Sequence, residues 1–110
     1  MVTLGASGRE VTVSAGDYDA RIVTVGAGLA GLTHRGHDLV VPHRVDELPP
    51  GYLGKVLIPW PNRVAGGTYS WGGTSYHLPV DEPAFGTALH GFVAFQEWDI
   101  VEADASWVLL

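Results

Sequence analysis

Two short stretches hold the side chains best equipped to grip a polar ligand. "PWPNR" sets Asn62 and Arg63 behind Trp60 and two prolines, and "ALHG" sets His90 ahead of Phe92 and Phe95. An amide, a guanidinium and an imidazole are planar groups with several directed hydrogen-bonding atoms, and the neighbouring rings offer flat apolar faces. Such a mixture suits a neutral sugar: forked donors reach ring and hydroxyl oxygens while an aromatic face covers the C–H surface. The same residues read equally well as a surface arginine and a core histidine satisfied by backbone, and residue types alone leave both readings open.

Other constellations are weaker. "IVTVGAGLAGLTHRG", residues 22–36, places Gly26, Gly28 and Gly31 in a GxGxxG spacing behind a β-branched run. In a dinucleotide cradle the third glycine opens a helix whose N-terminal amides hold the pyrophosphate. That helix has no room here, because Gly36 and the apolar run "LVV" follow too soon, and Asp46, at the nominal acidic offset, lies in a proline-rich loop. The segment reads instead as a strand, a tight turn and a second strand, with glycines for positive φ or close packing and no cofactor. His34, His37 and His43 lack a carboxylate pattern that completes a coordination set; they read as polar turn residues, and no metal is expected. Asp81 and Glu82 are adjacent, so an extended chain sends them to opposite faces, and they read as a solvated loop pair rather than a glycosidase acid and base. No GxSxG elbow is present, and the absence of cysteine excludes disulfides, thiolate catalysis and thiolate metal sites.

The elements that must position Asn62, Arg63 and His90 are short. Fifteen glycines and seven prolines in 110 residues leave, outside the C-terminal segment, no uninterrupted window for a helix of about 11 residues. Strands are expected at "EVTVS", "YDARIVTV" and "HDLVV", followed by a long irregular connection, "PHRVDELPPGYLG". "KVLIPWPNRV" is expected to begin as a buried strand that Pro59 and Pro61 interrupt just before Asn62 and Arg63. In "TYSWGGTSYHL" a Gly72-Gly73 turn pairs Trp71 with Thr74 and Tyr69 with Tyr76, an aromatic pair on one hairpin face. "FVAFQEWDIVEADASWVLL" is expected to form two strands with a break near residues 103–105, a helix being the competing reading. The apolar "SWVLL" ends the sequence in mid-pattern, which suggests the N-terminal portion of something larger.

Nearly half the residues are apolar, so one domain with a core is expected. The net charge of −6, with only six Lys and Arg spread along the chain, argues against a nucleic-acid partner. No export signal opens the sequence, and no apolar run approaches the roughly 20 residues that span a bilayer, so a cytoplasmic protein without a membrane partner is expected.

Residues 54–98, "GKVLIPWPNRVAGGTYSWGGTSYHLPVDEPAFGTALHGFVAFQEW", resemble the N-terminal part of aldose 1-epimerase, or galactose mutarotase, in the order of Asn-Arg, the G-x-Y and Y-x-L hairpin, Leu-His-Gly and a tryptophan. "VGAGLAGLTHRGHDLVV" resembles the family's early strands, in which a glycine-containing turn is ordinary. The resemblance implies an all-β fold, an antiparallel β-sandwich of the galactose-mutarotase (supersandwich) type, of which residues 1–110 form an N-terminal fragment. It implies interconversion of α and β anomers of free aldoses such as galactose or glucose, by acid/base ring opening without cofactor or metal. Asn62, Arg63 and His90 match the family's substrate-binding positions. The principal acid and base match nothing here and would lie beyond residue 110, so the 110-residue chain alone is expected to be inactive. Two departures stand out: Phe92 follows Gly91 where a second glycine is usual, and Asp81 stands where asparagine is frequent. Alternatives are a hexose-6-phosphate 1-epimerase, for which Arg63 is the sole basic residue from "PWPNR" to "LHG", and a non-catalytic carbohydrate-binding β-sandwich.

Overall fold

The structure is a computed structural model and describes residues 5–110. Among them all regular structure is strand, in chain order β1 (Glu10–Ala15), β2 (Tyr18–Val23), β3 (Gly28–His34), β4 (His37–Asp38), β5 (Arg63–Ala65), β6 (Thr68–Trp71), β7 (Thr74–His77), β8 (Thr87–Leu89), β9 (Glu102–Ala103) and β10 (Val108–Leu109). Every paired strand is antiparallel. The described residues divide into two compact units, one made of residues 5–56 with Ala94–Leu110 and the other of Leu57–Val93.

The first unit is built on a four-stranded sheet in the order β1-β2-β3-β4. The expected strands at "EVTVS" and "YDARIVTV" are β1 and β2. The glycine segment is a strand, a tight turn and a second strand, as expected, with the turn confined to Gly26 and Ala27, at φ 72° and 44°. Gly28 and Gly31 belong to strand β3, which lies against β2 with a register shift between Arg21 and Ile22. At that irregularity the Arg21 guanidinium donates to the carbonyls of Ala30 (3.0 Å) and His43 (3.1 Å) and to Glu10 (2.9 Å). "HDLVV" contributes only the two residues of β4, reached through a turn at Arg35 (φ 51°) and Gly36 (φ 81°), the left-handed pair that a two-residue hairpin requires.

The C-terminal segment returns to this unit. Trp98 N–H donates to Thr24 O (2.8 Å) and Ser14 N–H to Ala105 O (2.8 Å), and β9 and β10 then pair across a turn at Asp104. Two strands with a break near residues 103–105 are present, though each is only two residues long. Gly26 fastens both passages of chain that bracket the second unit: its N–H donates to Gln96 O (2.8 Å) and its carbonyl accepts from Val56 N–H (2.9 Å). A Cβ at Gly26 would overlap the Ala94 carbonyl, so the position needs both the left-handed backbone and the missing side chain. Val23, Ala30 and Ala94 form the apolar interior of this unit, with Ser7, Thr24, His43 and Lys55 buried beside them. Lys55 Nζ donates to Val25 O (2.8 Å), and burial holds its ammonium below the ordinary lysine value.

The second unit consists of two ladders, β5 with β8 and β6 with β7. The hairpin matches its sequence expectation in register, Trp71 against Thr74 and Tyr69 against Tyr76. Gly72 and Gly73 both have positive φ, and the two tyrosine rings stack at 5.1 Å with an interplanar angle of 18°. The expected strand at residues 55–58 is absent: regular pairing starts only at Arg63, after Pro59 and Pro61, each of which lacks the N–H a ladder uses. The Ile58–Pro59 peptide is cis.

Candidate functional site

The β5–β8 ladder pairs Arg63 with Leu89, Val64 with Ala88 and Ala65 with Thr87. One step beyond it stand Asn62 and His90, and both leave the strand conformation, with φ of 62° and 59°. His90 N–H donates to Asn62 O (3.0 Å), and Asn62 N–H donates to His90 Nδ1 (2.7 Å). The ladder is thus extended by one rung, half backbone and half imidazole. A backbone N–H can only donate, so Nδ1 accepts, and this bond assigns the proton of the neutral ring to Nε2. Side-chain-bearing residues held in the left-handed region carry about 1–3 kcal/mol of strain each and cluster at functional sites. Here two lie face to face, and both are residues singled out by type alone.

Arg63 is the third candidate, and its guanidinium is not loose. Nε donates to Glu82 Oε1 (2.6 Å) and Nη2 to Glu82 Oε2 (3.0 Å), while the Phe85 ring lies 5.0 Å from Cζ. Glu82 also accepts from Thr87 Oγ1 (2.7 Å). The hydrogen bonds from Arg63 and then Thr87 hold the Glu82 carboxyl below the usual carboxylate range, and Glu82 in turn raises the Arg63 pKa.

This corrects the reading of Asp81 and Glu82 as a solvated pair. Asp81 Oδ1 accepts the Leu89 N–H (2.7 Å), bracing the strand that carries His90, and Glu82 clamps Arg63. Alternation does send the two carboxylates different ways, but each finds a partner. The only sequence signal was an acid placed before a short Pro- and Gly-bounded loop. Its partner is 19 residues away, beyond the reach of any local pattern.

The aromatic neighbours divide. Trp60 Nε1 donates to Ala88 O (3.3 Å), and its ring meets Phe92 edge-on at 4.8 Å and 87°. With Pro59, Val64, Tyr69 and Leu78 these two rings line an apolar hollow of about 350 Å³. Asn62, Arg63 and His90 are not among its lining residues, so the hollow is a feature separate from the polar rung. Phe95 belongs to the other unit, where it packs on Tyr52 at 5.1 Å. Gly91, at φ 72°, lets the chain turn from His90 toward Phe92, whose N–H donates to Ile58 O (2.8 Å).

The remaining histidines are scattered by role. His34 packs on Tyr18 (4.6 Å), His37 opposes it across the β3–β4 turn, and His43 is buried with Nδ1 donating to Arg44 O (3.1 Å). Among the described residues no three His, Asp or Glu side chains are grouped so as to hold a metal ion, and no helix is long and apolar enough to cross a membrane.

Three comparisons bear on this arrangement. The uncharacterized protein YihR of Escherichia coli (strain K12) is 50% identical over 110 residues, the whole of this chain and 36% of its own length. A GalM/aldose epimerase homologue from C. elegans superposes with a TM-score of 0.76 at 23% identity, over 91% of this chain and 34% of that one. A galactose mutarotase-like protein from Clostridium acetobutylicum gives 0.69 at 25% identity, over 83% and 30%. The chain therefore has the fold of galactose mutarotase-like proteins and spans about a third of the length of the relatives it matches. The model of the aldose 1-epimerase family matches residues 9–109, nearly the whole chain, and the protein belongs to that family.

Proposed function

We propose that this chain is the N-terminal, sugar-holding part of an aldose 1-epimerase domain that interconverts the α and β anomers of free aldoses, galactose or glucose among them. The observation that carries the reading is the Asn62–His90 rung, two left-handed residues locked to each other with Arg63 next in line, at the family's Asn-Arg and Leu-His-Gly positions. Family membership supports an isomerase acting on a sugar.

Anomer exchange needs a base to take the proton of the anomeric hydroxyl and an acid to protonate the ring oxygen. The C1–O bond then opens to an aldehyde, C1 rotates about C1–C2, and reclosure gives the other anomer. Arg63, with Nη1 not engaged by Glu82, would donate to sugar oxygens. His90, with its proton on Nε2, would donate beside the ring oxygen and orient the ring. Neither residue is assigned the proton-transfer steps, and the principal acid and base are placed outside residues 1–110.

Polarimetry on freshly dissolved α-galactose tests this with the polypeptide expressed from its own gene. Arg63→Ala is expected to lower kcat/KM well beyond Arg9→Ala, whose arginine makes a distant, exposed pair with Glu97 (3.9 Å); equal activity of the two variants removes Arg63 from the site. The 110-residue chain alone is expected not to accelerate mutarotation, and clear acceleration would overturn the placement of the acid and base. Comparing glucose with glucose 6-phosphate decides between the free aldose and the phosphorylated sugar.

A further inference from the structure

We propose that Glu82 is a positioning residue for Arg63: the loop of residues 82–87 grips one edge of the guanidinium and fixes which edge is presented to the sugar. The inference rests on the sugar-contact role proposed above for Arg63.

Most exposed ion pairs order nothing, because two long side chains in water exchange partners freely. This one is built differently. The pair is bidentate, Nε to Oε1 and Nη2 to Oε2, so it defines the plane of the guanidinium as well as its distance. The Glu82 side chain is only 18% exposed, against 47% for Arg63, so the carboxylate is the fixed partner and the arginine the held one. Thr87 Oγ1 braces Oε1, and the backbones of Glu82 and Thr87 bond reciprocally (3.0 and 3.2 Å), closing the loop at its base. From within that loop Phe85 sets its ring against the guanidinium. One short segment thus supplies a carboxylate, the hydroxyl that braces it and an aromatic face to a single arginine. The Nε edge is taken, and Nη1 is left for another acceptor. An arginine serving only as a surface charge needs none of this.

The test is a double-mutant cycle on the polypeptide expressed from its own gene, with Glu82→Gln, Arg63→Ala and both together, read as kcat and KM for α-galactose mutarotation. Glu82→Gln keeps the shape and removes the charge. It is expected to lower kcat/KM about 10-fold, since misplacement of a substrate-orienting group by an ångström can lose up to about 100-fold. Adding it to Arg63→Ala is expected to lose nothing further, because the held group is gone. Wild-type kinetics for Glu82→Gln alongside an impaired Arg63→Ala would overturn the proposal and leave the sugar-contact reading intact. Additive losses would overturn it too, by giving Glu82 an effect that does not pass through Arg63. A harmless Arg63→Ala would sink the underlying reading instead. A second readout needs no turnover: the Arg63 Nε–H NMR signal is expected to be protected from solvent exchange in the wild type, less so in Thr87→Val and least in Glu82→Gln. Equal exchange in the wild type and Thr87→Val, with Glu82 present in both, would show that the loop does not brace the grip.

Discussion

Two glycines of the second unit separate backbone conformation from close approach. Gly86 (φ 64°) and Gly91 (φ 72°) occupy nearly the same left-handed region, but a Cβ at Gly86 would meet nothing within 4 Å. At Gly91 it would overlap the Ile58 carbonyl and lie 2.9 Å from the Pro59 nitrogen. Gly86→Ala is therefore expected to lose only the left-handed preference, about 1–2 kcal/mol. Gly91→Ala loses the same amount plus an overpacking penalty of about 1–3 kcal/mol, because the obstacle is backbone and cannot rotate away. The displaced Ile58 carbonyl is also the acceptor for Phe92 N–H at 2.8 Å, a bond worth about 1 kcal/mol. With a urea dependence of about 1–3 kcal/mol per molar, an excess of about 2 kcal/mol puts the Gly91→Ala midpoint roughly 1 M below that of Gly86→Ala. Urea unfolding followed by tryptophan fluorescence measures the gap, and amide exchange at Phe92 locates it. Coincident midpoints with an undisturbed Phe92 amide would refute the steric account and leave conformation as the whole role of Gly91.

Lys55 links stability to alkaline pH. Its folded pKa is lowered, so between that value and the ordinary 10.5 the unfolded chain binds a proton that the folded chain has released, and stability rises with pH across the window. Urea midpoints from pH 7 to 10.5 are expected to show this rise in the wild type and to lose it in Lys55→Met. Glu82 acts at the other end: its folded pKa is lowered, so its contribution is full above the ordinary 4.5 and disappears as pH falls through the folded value. Acid unfolding of Glu82→Gln is expected to lack that component. For the Tyr69–Tyr76 stack, Tyr76→Ala should lose about 0.5–1.5 kcal/mol in thermal or urea unfolding beyond its lost buried area, and Tyr76→Phe should retain the stack.

The features legible in the sequence are those set by local rules. The Gly72-Gly73 hairpin could be drawn in register because turn type and alternation are decided within ten residues, strand β1 follows from period-two patterning and β2 from its β-branched run. Asn62, Arg63 and His90 were proposed by residue type, and the structure brings Asn62 and His90 into direct contact. Which glycines of residues 22–36 make the turn and which pack closely was not legible, because glycine in a strand is uninformative without its neighbour. A Cβ at Gly31 would lie 2.8 Å from Arg21 Nη2, and that guanidinium arrives from a different strand. Residues 55–58 have strand composition but no ladder, since two prolines follow and the Val56 N–H is already committed to Gly26. The pairing of Glu82 with Arg63 was missed for the same kind of reason, since the two lie 19 residues apart in sequence.

Gly26 gives the chain an insertion point. The passage that leaves at Val56 and the passage that returns at Gln96 are tied to opposite ends of one glycine residue. Everything between them is a loop in the topological sense, closed at its root by bonds of the first unit. Lengthening a closed loop adds only about 0.6 kcal/mol of entropy for each doubling. The segment that carries Asn62, Arg63 and His90 can therefore gain or lose residues at its turns while the root stays as it is. A grafting experiment that replaces the residues between Val56 and Gln96 has its two cut sites marked by a single residue.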